Sequence, residues 1–524
     1  MVTFELILSM LLVGALLAAI ARRLRTPYPV LLAVFGAALA FVPNLPELTI
    51  PPDLVLALFV APVLLDAAYD ASLRDLRDNW WSVTNLAFVA VILTIAGVAA
   101  VLRWLVPDVP WLVAVTLGAI VAPPDASAAT AVLSDLRPPH RLLVILEGES
   151  LFNDASALLI YRAAVGVVTT GKVYGAIPTL AFAALASVLL GLFLGRLAMT
   201  ISEHLQHVAT AILTQFLFVF LVWILAERLG LSGIITLVCF AIMVAQIAPI
   251  QTHARLRIPS YAVWEVAVFV LNLLVFILVG LQLKPLLQRL NRTEIISYLT
   301  VGAAVCATTI LIRIAWVMSY NTLVRWKNRR FGVRLPRPMM APTFQGGLII
   351  AWCGMRGIVT LAAALALPDG SHGTPPFPYR NLLLFSSFCV VLGTLIIQGL
   401  TLRPLISALP IKGDTTVHRE VNLARAAAAK AALRALEDQP ASSATEAVRS
   451  EYEARLRRIN SGDPAREDEI GSDLGSVQQR AILAERRALS DLRSRGEIGD
   501  DAFHRVEEEL DWAEVHVARQ PASE

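Results

Sequence analysis

Two carboxylates and an amide, Glu149, Asp154 and Asn153, occupy the middle of residues 142–168, a run otherwise apolar enough to span a membrane. A charged group at the bilayer centre costs about 2.5–3.5 kcal/mol on insertion scales, so it is kept where it faces a cavity, a partner or an ion path. Helical spacing pairs Glu149 with Asn153 and Ser150 with Asp154, each four residues apart on one face. Ser150, Asn153 and Asp154 offer only oxygen donors. Such sets suit small hard cations such as Na⁺ or Li⁺. No His or Cys lies nearby in sequence, which argues against a transition metal.

A second acid, Asp125, follows Pro123 and Pro124 inside another apolar run. Paired prolines remove backbone donors and break a helix, and unwound carbonyls can ligate a cation. Pro123 and Pro124 are therefore candidate backbone ligands, and Na⁺ is expected at Asp154, Asp125 and Ser150. Two carboxyls facing one cavity need a proton or a cation to neutralise them, so the two substrates can compete for one site. Asp66, late in the third apolar run, is a third candidate acid, and Asp70 is placed at the edge of that run. Arg356 lies in a second break, Cys353-Gly354-Met355-Arg356-Gly357. A buried guanidinium calls for a carboxylate; Glu149 is the expected partner and Glu147 the alternative. Arg162 is read as a neutraliser of Asp154 or Glu147, and Arg313 as a snorkelling side chain.

The elements that hold these residues are membrane helices. The chain has 524 residues, 56% hydrophobic and only 16% charged, against about 25% charged in ordinary globular domains. At about 20 apolar residues per crossing, thirteen spans are expected: about 2–21, 28–43, 52–69, 82–106, 111–134, 140–169, 174–200, 207–228, 231–249, 262–284, 295–323, 342–367 and 381–409. An odd number puts the termini on opposite sides. With the C-terminal tail cytoplasmic and the N-terminus outside, inner loops collect 16 Lys and Arg and outer loops 7, in line with the positive-inside rule. The two breaks fall in spans five and twelve, seven apart, so those helices run in opposite directions. Spans 1–6 and 8–13 then read as two inverted six-helix repeats, with an ion site at mid-membrane. The fold class is all-α and polytopic.

Residues 1–410 form the transmembrane domain and 411–524 a helical, water-soluble tail. The tail carries 17 Lys and Arg against 23 Asp and Glu, so the basic surplus belongs to the membrane loops. This distribution does not suggest nucleic-acid binding. The tail is expected to form helices over 422–437, 476–495 and 500–519, with a linker over the 460s to 475 and a turn at 496–499. The four cysteines sit singly in apolar runs and read as packing residues. The first apolar run precedes its Arg cluster, unlike a signal peptide, and is expected to be retained as a span. Trp80, Trp81, Trp104 and Trp111 read as an interfacial belt. An intramembrane aspartyl protease would match Tyr69-Asp70, but its Gly-x-Gly-Asp half is absent. A channel would need rings of ligands around a symmetric pore, and a single off-axis acid pair does not supply them.

Three motifs in order carry a family resemblance: Pro124-Asp125 followed by Thr130-Ala131-Val132, Gly148-Glu149-Ser150-Leu151-Phe152-Asn153-Asp154, and Gly354-Met355-Arg356-Gly357-Ile358-Val359. Over residues 1–410 the chain resembles the monovalent cation/proton antiporters of the NhaP/NHE type. The resemblance implies thirteen helices in a core and a dimerisation domain, a homodimer, elevator-like alternating access and no cofactor. It implies Na⁺/H⁺ exchange at the plasma membrane, serving pH homeostasis, with K⁺/H⁺ exchange the competing reading. Asp154 corresponds to the ion- and proton-binding aspartate, with Asn153, Ser150, Asp125 and Asp66 around it and Glu149–Arg356 as the core ion pair. The Asn-Asp pair resembles the electroneutral branch. Here Pro123-Pro124-Asp125-Ala126 replaces the common Thr-Asp-Pro, which removes a hydroxyl ligand.

Overall fold

The computed structural model describes residues 2–460, apart from 25, 44–51, 126–128, 131–132, 134–137, 172–175, 289, 332–342, 371–374, 410–415, 438–439 and 441. Beyond Asn460 it describes 481, 482, 484, 485, 487, 488, 491, 495, 506, 510, 512 and 514. No strand occurs among the described residues. Two compact units, Met1–Asp414 and Thr415–Glu524, are resolved by their internal contacts.

The first unit begins with α1 (Val2–Leu24), α2 (Tyr28–Leu39), α3 (Pro52–Val55) and α4 (Ala61–Asp70). A π-helical turn, Leu56–Val60, joins α3 to α4. The short α5 (Leu73–Asp78) starts at Ser72, whose hydroxyl accepts from the Asp75 N–H, an ordinary N-cap. Next come α6 (Trp80–Thr84), a second π-helical turn Asn85–Ala90, α7 (Val91–Leu105) and α8 (Trp111–Val121). The site helix is α9 (His140–Thr170). It stops at Gly171, which takes the left-handed conformation (φ 69°) and donates its N–H to Val167 O, a conformation that favours glycine.

Then follow α10 (Ala176–Ser202), α11 (Val208–Arg228), α12 (Gly233–Gln251), α13 (Ala254–Leu281), α14 (Leu283–Gln288) and α15 (Arg292–Phe331). The unit closes with α16 (Phe344–Trp352), α17 (Ile358–Leu365) and α18 (Arg380–Ala408). Among the described residues, eight helical stretches are long and apolar enough to cross a membrane, and Tyr28–Leu39, Trp111–Val121 and Gly233–Ala248 are shorter apolar helices. Among the described residues, helix occurs within each stretch expected to span.

Both expected breaks are present. The chain leaves α8 at Val121 and is non-helical through Asp125; residues 353–357 separate α16 from α17. The π turns were not legible in the sequence. Each shifts the hydrogen-bond register by one residue, and the second lies against α9. Two apolar clusters fill the unit. One runs through α1, α2, α7, α8, α13 and α15 to α18, the other through α4 and α10 to α13. They meet along α9, which gives Ala157 and Tyr161 to the first and Leu151 to the second. The Trp residues expected at the interface are exposed, Trp81 at 81% and Trp104 at 79%.

The second unit contains α19 (Thr416–Glu437) and α20 (Ser443–Asn460), which pack on one another. The sequence reading missed α20. The expected linker and the 496–499 turn lie outside the described residues. The helices expected over 476–495 and 500–519 are described only at scattered positions.

Candidate ion-binding site

The site forms where the two broken helices meet the middle of α9. The Asp125 N–H donates to Met355 O at 2.7 Å, joining one break to the other. A β-carbon on Gly357 would collide with the Asp125 carboxyl, so the carboxyl packs directly on the glycine backbone. Asp154 is 8% exposed and Asn153 fully buried. Asp125 is the acid that acts electrostatically on Asp154. Asn153 Nδ2 donates to Pro124 O at 3.1 Å, while its buried Oδ1 has no hydrogen-bond partner among the described residues. Buried polar atoms are almost always satisfied, so this oxygen is available to a cation. Ser150 is half-buried one turn before Asp154.

The amide–carbonyl bond changes the role expected of Pro124. Its carbonyl holds Asn153 and so ties the break to α9, with one lone pair left for other contacts. One turn later, Ser156 Oγ donates to Ala87 O at 2.7 Å and to Asn153 O at 2.9 Å. Ala87 lies in the second π turn. That turn thus braces the backbone beneath Asn153 and Asp154.

The expected Glu149–Arg356 pair is corrected. The guanidinium on Glu149 belongs to Arg313 of α15. Arg313 Nη1 bonds Glu149 Oε1, and Nη2 bonds Oε2 at 2.8 Å and Ile350 O at 3.0 Å. Both residues are buried, at 1% and 3% exposure. The fork matches the carboxylate in a bidentate pair.

Arg356 finds its partners on the backbone. Its Nε donates to Val121 O at 2.9 Å, Nη2 to Ala122 O at 3.2 Å, and Nη1 to Gly354 O. Its own N–H donates to Thr394 Oγ1 of α18 at 3.0 Å. The last carbonyls of a helix carry partial negative charge and lack intrahelical donors. A guanidinium at the end of α8 meets both needs, and Glu149 acts on it electrostatically without forming an ion pair with it.

Arg162 is also reassigned: its Nη2 donates to both Glu227 carboxylate oxygens, at 2.6 and 2.8 Å, in place of Asp154 or Glu147. Asp66 is half-buried on α4, and the acids acting on it are Asp70 and Glu265. Among the described residues no cluster of His, Cys, Asp and Glu could hold a metal.

The model of the transmembrane sodium/hydrogen exchanger family matches residues 7–408. The chain belongs to this family. The exchanger is 28% identical over 510 residues to the sodium, potassium, lithium and rubidium/H⁺ antiporter of Bacillus subtilis, covering 93% of this chain and 74% of the relative. It is 28% identical over 422 residues to the Na⁺/H⁺ antiporter ApNhaP of Aphanothece halophytica, covering 79% and 76%. The solved sodium proton antiporter MjNhaP1 of Methanocaldococcus jannaschii superposes with a TM-score of 0.59 over 78% of this chain and 98% of that one. At 18% identity, that likeness speaks for the fold.

Sequence reasoning missed three parts of the exchanger's site. Arg313 gave a usable signal: it lies ten residues inside the expected span end at 323, about 15 Å along a helix, too deep to snorkel. Ser156 and the π turn gave none, because their contact joins residues 69 apart.

Proposed function

We propose that the protein exchanges Na⁺ or Li⁺ for H⁺ across the plasma membrane by competition at Asp154. The observation that carries this reading is the buried Asp154 with Asp125 as its acidic neighbour, in a chain of the exchanger family. A carboxylate in that position needs a neutralising partner, and a proton and a small cation fill that role in turn. Asp125, Ser150 and Asn153 Oδ1 complete an oxygen-only coordination around the cation. Arg356 and the Arg313–Glu149 pair hold the half-helices and carry no substrate. Asp66, with Asp70 and Glu265, lines the approach and concentrates cations. The exchanger works as a homodimer of thirteen-span protomers with inverted repeats, alternates access with one cation for one proton, and keeps its N-terminus outside and its tail cytoplasmic.

K⁺/H⁺ exchange is the second reading. The printed name of the Bacillus subtilis relative includes potassium and rubidium, and Pro124 stands where many antiporters of this type have a hydroxyl. Proteoliposomes given Na⁺, Li⁺ or K⁺ separately at a series of pH values test both readings. Competition predicts an apparent KM for Na⁺ that rises as the pH falls, with the rate at saturating Na⁺ retained. A pH-independent KM would overturn competition, and exchange with K⁺ alone would move the substrate assignment.

A further inference from the structure

We propose that the groove between α14, α15 and α18 binds an anionic phospholipid, with its acyl chain in the groove and its phosphate on Lys284 and Arg292. The groove has a volume of about 730 Å³, within the range of about 300–1,000 Å³ usual for ligand sites. None of its lining residues is an ion-site residue, and the lining is apolar throughout. Ala303 and Ala307, one turn apart on the exposed face of α15, form the trough. Leu287, Leu299, Leu311 and Ile397 are among its larger walls. Its floor is closed by small residues: a β-carbon on Gly302 would lie 2.7 Å from Cys389 Cβ, and one on Gly393 2.9 Å from Cys306 Sγ.

An apolar trough alone would accept any acyl chain. Charge at one end selects the headgroup. Lys284 directly follows the lining residue Leu283, and Arg292 lies one helical turn before the lining residue Ile295, so both basic residues stand at the end of the groove where α14 passes to α15. Lys and Arg beside a membrane surface attract acidic headgroups electrostatically. The nearby carboxylate, Glu294, accepts from the Asn291 N–H at 2.8 Å and caps α15. The same helices hold the ion site from the other side. α15 supplies Arg313 and α18 supplies Thr394, next to the lining residue Gly393. A lipid seated here fills the outer side of that helix pair.

The test uses the full chain, purified in detergent and stripped of lipid. Binding of palmitoyl-oleoyl phosphatidylglycerol and of the matching phosphatidylcholine is measured by native mass spectrometry. At a factor of about five per basic residue, the expected preference for phosphatidylglycerol is up to about 25-fold. Lys284→Gln with Arg292→Gln removes the preference and leaves phosphatidylcholine binding as it was. Ala307→Trp, on an exposed face, weakens both lipids. Equal binding of the two lipids by the unaltered chain, or a preference that survives the double substitution, overturns the proposal.

Discussion

Each of the three buried charges near the site solves the problem of burial differently. Glu149 is paired with Arg313 and Arg356 with helix carbonyls, while for Asp154 the proposal is that the cation or proton it carries neutralises it. Removing one partner of a buried pair leaves an uncompensated charge, at a cost of about 3–5 kcal/mol. Glu149→Gln and Arg313→Ala are each expected to lower the melting temperature in detergent sharply. Glu149→Leu with Arg313→Leu should recover much of the loss; a double variant as unstable as the sum of the two would contradict the pairing. Gly357→Ala tests the packing of Asp125. The added methyl displaces the carboxyl, so exchange falls while yield holds; unchanged Na⁺ affinity in that variant would remove Asp125 from the site. Asp125 and Asp154 stood out as candidates because an acid inside an apolar run has few structural explanations. The ion pair was misassigned because charge alone does not say which of two arginines is nearer. Glu149 and Arg313 are 164 residues apart, and only the fold brings them together.

The helix breaks are the elements that make the site, and their position was legible from Pro123-Pro124 and from Gly354 and Gly357. Arg356 as their shared clamp was not, since its acceptors are backbone groups that carry no sequence signature. Arg356→Lys keeps the charge but loses the fork. It is expected to lower thermal stability and leave Na⁺ affinity within a few-fold, whereas a large affinity change with native stability would make Arg356 part of the ion site. At the start of α9, outside the apolar core of that helix, Asp75 links α5 to His140 (3.1 Å) and Arg74 (3.2 Å). Burial acts to raise the Asp75 carboxyl, but the His140 and Ser72 hydrogen bonds and Arg74 outweigh it and hold it below its ordinary value of 3.8. A depressed carboxyl stabilises the fold above its unfolded value and loses that contribution as pH falls through the folded one. The stability gap between the unaltered chain and Asp75→Asn should therefore close at the acid end, as the Asp75 carboxyl takes up its proton. A gap that persists undiminished there would contradict the assignment.

Across the whole molecule, the division into a membrane unit and an acidic tail followed from the shift in charge near residue 411, and the contacts divide at Asp414. The interior of the tail was less legible: α20 is rich in Glu and Arg, and no apolar period announces it. Exchange of one cation for one proton moves no net charge, so an imposed potential should leave the rate unchanged. A rate that follows the potential would exclude the one-for-one cycle.

The central claim is that Asp154 carries cation and proton in turn. Its most direct measurement is fluorescence dequenching in energised inverted vesicles carrying a pH-sensitive dye, on addition of Na⁺ or Li⁺. The unaltered protein should dequench. Asp154→Asn, present at the same level in the membrane, should not. Normal dequenching in Asp154→Asn would contradict the account.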